Sequence, residues 1–103
     1  MWCPFPDRKS ARTISDRLLD EGLIGCANML GTIESMFVWD GERGSGEESA
    51  VLFKTNPQLL ESLVARLGEL HPYDTPAIVG WHCDVAHSTT KQWLDTVGTG
   101  MPE

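Results

Sequence analysis

Basic side chains are scarce in this chain: eight Lys and Arg stand against fifteen Asp and Glu, for a net charge of -7. A sequence-independent grip on nucleic-acid phosphates needs clustered Lys and Arg, and the eight here are scattered, which excludes that class of partner. An anionic membrane surface is excluded by the same repulsion. Long apolar runs are also lacking. None approaches the roughly 20 residues that span a bilayer, and no charged start followed by an apolar stretch resembles a signal peptide, so a cytoplasmic location is expected. The three cysteines, Cys3, Cys26 and Cys83, show no CxxC spacing. An odd count without an export signal argues against a disulfide framework, so free thiols are expected, each packed as a small apolar residue. No Gly-Lys-Ser/Thr follows the glycines at 41, 44 and 46, and no EF-hand-type acidic loop is present, which removes a phosphate cradle and a built calcium site.

What is present is a sequence of clear elements in one domain spanning residues 1–103. A chain of this size buries only about two-thirds of its unfolded surface, so oligomerisation would help it. Asp7 is placed to cap a helix running to about Glu21, with Ala11, Ile14, Leu18 and Leu19 at helical spacing and Gly22 as its left-handed stop. From Cys26 to Trp39 the period changes to two, with Ile33, Ser35, Phe37 and Trp39 on one face and Glu34, Met36 and Val38 on the other. Gly31 marks a bulge in that strand. Residues 40–49 read as a mobile, glycine-rich hairpin loop before a strand at 50–55. Thr55 or Asn56 caps a second helix with Pro57 in its first turn and an apolar stripe of Leu60, Leu63, Val64, Leu67 and Leu70. Pro72 and Pro76 stop that helix near His71. A strand over about residues 76–85 and a short helix capped by Ser88 or Thr90 complete the order.

With a stub of strand at the front, this order is βαββαβ plus a short C-terminal helix. The fold expected is an α+β ferredoxin-like split βαβ sandwich, an antiparallel sheet with its helices on one face. Two helices cover one side only, yet Phe37, Val38, Trp39, Phe53 and Trp81 give the strands apolar residues on both sides. An uncovered patch of that kind implies a partner, most simply another copy of the chain.

Five segments in register, Cys3-Pro4-Phe5-Pro6-Asp7, Gly22-Leu23-Ile24-Gly25-Cys26-Ala27-Asn28, Val38-Trp39-Asp40-Gly41, Phe53-Lys54-Thr55 and Glu69-Leu70-His71-Pro72-Tyr73-Asp74-Thr75-Pro76, resemble the divalent-cation tolerance (CutA) family over nearly the whole chain. The resemblance implies a ferredoxin-like fold, a tight homotrimer built through long strand hairpins, and a role in tolerance of copper and other divalent metals. It implies no established catalytic reaction and no required cofactor. Two departures stand out: the first strand is shorter than the family's, as if residues were missing before it, and Leu70 occupies a position that some members fill with a second histidine.

Thiolate and imidazole are the ligands that suit copper or zinc. Cys3 and His71 are the metal-site candidates, because the resemblance places both at positions associated with copper. The alternative for each is structural, with Cys3 as a packing residue at a strand end and His71 as a helix terminator bonding a backbone carbonyl. His82 and Cys83, neighbours on an expected strand, point to opposite faces and cannot chelate one ion together. Catalysis by a Cys-His pair needs an orienting group. Only Asp74 offers one, and no enzyme activity is expected. A second functional class is a PII-like trimeric regulator that binds a small effector between subunits, with Trp39, Tyr73 and Asp74 lining the cleft; it rests on analogy of fold.

Overall fold

The computed structural model describes residues 1–100. Its elements run β1 (Trp2–Phe5), α1 (Arg8–Asp20), β2 (Cys26–Trp39), β3 (Glu42–Lys54), a 3₁₀ turn (Pro57–Leu59), α2 (Leu60–Leu70) and α3 (Ser88–Thr96). The sheet order is β1-β3-β2, antiparallel throughout, with Cys3 opposite Val51 and Ala27 opposite Phe53. β1 and β2 therefore run parallel with β3 inserted between them, the split βαβ arrangement.

Each helix forms where its ends are specified. The Asp7 carboxylate accepts from Ser10 N at 2.7 Å to start α1, and Gly22, at φ 71°, turns the chain out of it. Its buried face, Ala11, Ile14, Ser15 and Leu18, meets Leu63 and Leu67 of α2 over Cys3, Phe5, Val51 and Phe53 of the sheet. Phe5 and Phe53 pack edge to face at 6.3 Å. Each of these fully buried large side chains contributes about 1.5–3 kcal/mol of transfer free energy. On the surface, Arg66 of α2 grips Glu21 with two bonds of 2.7 and 2.8 Å, and Arg17 adds a third to the same carboxylate.

Four expectations are corrected. Residues 40–49 are not a loop: Asp40 and Gly41 alone make the turn, both with positive φ (53° and 79°), and β3 begins at Glu42. Two successive positive φ values match the twist of a two-residue hairpin, which suits Asp-Gly. The strand expected over 76–85 is reduced to one bridge, Val79 paired with Trp2 through bonds of 2.8 and 3.0 Å. That bridge sits on the outer side of β1, where the fourth strand of the expected fold belongs, but the residues after it find no ladder to join. His87, rather than Ser88 or Thr90, caps α3, its Nδ1 accepting from Thr89 N. Phe53 is buried in the core of the subunit rather than left uncovered.

The bulge at Gly31 is present, with Leu30 as the extra residue between the Met29 and Gly31 pairings and Gly31 at φ 90°. Beyond it the hairpin carries its apolar residues uncovered on both faces: Met36 is 70 % exposed, Phe37 48 %, Val38 70 % and Trp39 60 %.

α3 is seated by side chains at the opposite end. Asn56 accepts from Gln58 N at 3.0 Å, and its amide donates to the carbonyls of Asp95 and Val97, both at 3.2 Å. Gly25 makes room for the helix, since a Cβ there would lie 3.0 to 3.2 Å from Val97, Leu94 and Trp93.

Candidate functional site

The site is assembled where the end of α2 meets β1. His71 N still donates to Leu67 O at 2.8 Å, closing the last helical turn. Pro72 then excludes the helical region for His71, whose backbone is extended at φ -69°, ψ 138°. The chain bends so that Tyr73 N donates to the His71 ring at Nδ1, 3.1 Å away. An Nδ1 that accepts carries no proton, so the neutral ring holds its proton on Nε2 and donates it to Pro4 O at 2.8 Å. Phe5 stacks on one face of the imidazole at 4.8 Å and 20°, and the Tyr73 ring leans on it at 4.8 Å and 49°.

Cys3 reaches the same oxygen. Its Sγ donates to Pro4 O at 3.4 Å, so the two sequence-selected ligand candidates converge on one backbone carbonyl. Cys3 is fully buried and His71 is 7 % exposed. Burial, helped by the negative charge of Glu48, pushes the Cys3 thiol up to about 12. The Tyr73 hydroxyl donates to Glu48 Oε2 at 3.0 Å, and burial together with that bond and charge pushes the phenol up to about 12 as well. The thiol is thus held protonated at neutral pH and both imidazole nitrogens are engaged. Among the described residues no group of three or more His, Cys, Asp and Glu is placed to hold an ion, so four-ligand tetrahedral coordination is not prepared. Cys3 Sγ and His71 Nε2 are the side-chain atoms here that could hold a soft ion, and only one able to displace a thiol proton.

The other candidates lie apart. Trp39 sits at the hairpin tip opposite Glu42, and Glu42 is separated from Glu48, which Tyr73 touches, by about 20 Å of strand at the usual rise. Within one chain Trp39 therefore does not line a cleft with Tyr73 and Asp74, and Asp74 itself is exposed. The expectation that every cysteine is packed holds for Cys3 only: Cys26 is half-buried and Cys83 is exposed. A separate groove of about 460 Å³ lies beside Trp81, His82, Cys83, Lys54 and Lys91. Sequence reading missed Glu48 and the Pro4 carbonyl as parts of the histidine's surroundings. A carbonyl leaves no mark in a sequence, and Glu48 lay in the stretch read as a loop.

The likeness to known proteins spans the whole arrangement. The CutA1 divalent ion tolerance protein model matches residues 1–97. A divalent-cation tolerance protein CutA of Pyrococcus horikoshii is 37 % identical over 94 residues, 91 % of this chain and 91 % of the relative. The crystal structure of the divalent ion tolerance protein CutA1 from Ehrlichia chaffeensis superposes with a TM-score of 0.86 at 33 % identity, covering 93 % of this chain and 90 % of that one. The PII-like protein CutA from Nostoc, solved in apo form, gives 0.82 at 26 % identity, covering 90 % and 89 %. Relatives include one named as chloroplastic, from Arabidopsis thaliana, and one named as periplasmic, from Archaeoglobus fulgidus, so likeness alone does not fix a compartment. With the matched model running from β1 through α3 and a ferredoxin-like sheet carrying it, the chain belongs to the CutA1 divalent ion tolerance protein family.

Proposed function

We propose that this chain serves divalent-cation tolerance as a cytoplasmic homotrimer, with a modest copper site at Cys3 and His71. The observation that carries the trimer is the hairpin end: Met36, Phe37, Val38 and Trp39 are exposed on opposite faces of the same strand, and Trp81 adds a further exposed aromatic. A patch with apolar groups on both faces is covered by being gripped between neighbours, which a closed ring of copies achieves. Three unpaired thiols suit a reducing compartment.

The copper reading is supported by the meeting of Cys3 Sγ and His71 Nε2 at one oxygen. Uptake must displace that carbonyl and remove the thiol proton, which limits affinity and favours Cu(I) over zinc. Calorimetry on reduced protein is expected to show stoichiometric Cu(I) uptake that Cys3→Ser or His71→Ala weakens. Affinity unchanged in both variants removes these ligands. Light scattering at micromolar concentration is expected to give three times the 11.4 kDa chain mass; a monomer mass overturns the assembly.

The likeness to a protein described as PII-like, together with the groove flanked by Lys54 and Lys91, supports a second reading, a regulator that binds a small effector. A thermal shift with nucleotides and none with metals would favour it.

A further inference from the structure

Building on the Cys3–His71 metal reading above, we infer that Glu48 and Tyr73 form a latch that fixes which nitrogen of His71 carries the proton and thereby controls access of a soft metal ion to that ring. The latch is a set of hydrogen bonds joined through the covalent frame of Tyr73, whose hydroxyl is tied at one end and whose backbone N–H is tied at the other. Glu48 of β3 accepts from the Tyr73 hydroxyl at 3.0 Å, and Tyr73 N donates to His71 Nδ1 at 3.1 Å. His71 Nε2 donates to Pro4 O at 2.8 Å, and Cys3 Sγ donates to the same oxygen at 3.4 Å. The ring between these bonds is clamped by Phe5 on one side and Tyr73 on the other, so flipping it to exchange its nitrogens is obstructed.

A metal ion can bond Nε2 only when that nitrogen has lost its proton. The neutral imidazole keeps one proton, so it moves to Nδ1, where it faces the Tyr73 N–H donor to donor. The two donors cannot share a bond, and the turn over residues 71–73 opens and draws the Tyr73 hydroxyl from Glu48. In the complete step a Cu(I) ion gains bonds to Sγ and Nε2, the thiol proton leaves to solvent, and the ring proton passes from Nε2 to Nδ1. No oxidation state changes. Tyr73 and Glu48 act as positioning residues, holding the backbone N–H that occupies Nδ1.

Side-chain nitrogen NMR of the full chain at neutral pH reads the tautomer without any metal. The wild type is expected to show His71 protonated at Nε2 alone. Tyr73→Phe and Glu48→Ala are expected to show mixed tautomers, whereas Glu48→Gln, whose amide oxygen still accepts from the phenol, keeps the wild-type signature. A purely structural role would lower the stability of Glu48→Ala without moving the His71 tautomer. In anaerobic Cu(I) titrations against a competing chelator, Tyr73→Phe is expected to bind roughly five- to tenfold more tightly than wild type, the equivalent of one released hydrogen bond. Wild-type tautomers in both Tyr73→Phe and Glu48→Ala overturn the latch, whatever copper does. Mixed tautomers with no Cu(I) uptake by any form uphold the latch's hold on the proton and overturn the metal reading instead.

Discussion

Replacing Asn56 separates α3 from the rest of the subunit, because one amide does three jobs there. Its oxygen accepts from Gln58 N at 3.0 Å, capping the turn before α2, while its nitrogen donates to the carbonyls of Asp95 and Val97 at the end of α3. Asn56 is buried, so water does not readily replace these bonds. Asn56→Ala loses a cap worth about 1 kcal/mol and leaves two carbonyls short of a donor at about 1 kcal/mol or more between them, for a total of about 2–3 kcal/mol. The informative variant is Asn56→Asp. It preserves shape and the cap, but its second oxygen faces two carbonyl oxygens, acceptor against acceptors. Asp is therefore expected to do at least as much damage as Ala at α3 while sparing α2. Amide hydrogen exchange read by mass spectrometry resolves this, with α3 opening roughly thirtyfold more often for a loss of about 2 kcal/mol, and the amides of α2 protected in Asp but loosened in Ala. An Asn56→Asp protein whose α3 amides exchange at the wild-type rate would refute the reasoning.

Further outcomes follow from other contacts. Arg66 and Arg17 hold the Glu21 carboxyl down, from its usual 4.5 to about 2, so its stabilisation is present above about 4.5 and is lost as pH falls toward 2. Thermal melts between pH 6 and 2 should therefore show a smaller acid loss in Arg66→Ala, and parallel curves for the two proteins would contradict the assignment. Alkylation followed by peptide mapping is expected to label exposed Cys83 first and leave buried Cys3, with its thiol near 12, untouched in native protein; equal labelling would place Cys3 on an open surface. Leu67→Ala opens a cavity in the fully buried core and should lower unfolding free energy by about 2–5 kcal/mol in urea titrations, and a loss under 1 kcal/mol would mean that the core collapses around the gap. Gly41→Val places a β-branched residue at φ 79° and should destabilise the hairpin by about 1–2 kcal/mol, seen as faster exchange of β2 amides near the turn.

The parts of the fold that are legible in the sequence are those decided locally. Alternation of Ile33, Ser35, Phe37 and Trp39 suffices for β2, and Asp7, Gly22 and Pro72 mark helix ends because each acts on the backbone beside it. Where a partner decides, composition misleads. Residues 42–49 are polar and rich in glycine, yet a ladder asks only for backbone groups, and β2 supplies them. Residues 76–85 carry strand-like side chains, but only Val79 meets a backbone able to pair with it. The candidate site divides in the same way. Cys3 and His71 are singled out by resemblance, while the Pro4 oxygen that both bond and the Glu48–Tyr73 bond depend on long-range placement that no local pattern encodes.

The hairpin has a mechanical consequence. A strand of 14 residues extends about 45 Å at the usual rise, close to the molecule's longest dimension of 46 Å, whereas the 13 residues of α1 reach about 20 Å. Its outer half is thus a cantilever, braced by its own ladder and, among the described residues, by nothing underneath. Whatever rests against Met36 and Trp39 stiffens the beam, so docking and straightening become one event, and dilution that strips the neighbour away would slacken the tip while the two-helix body stays folded.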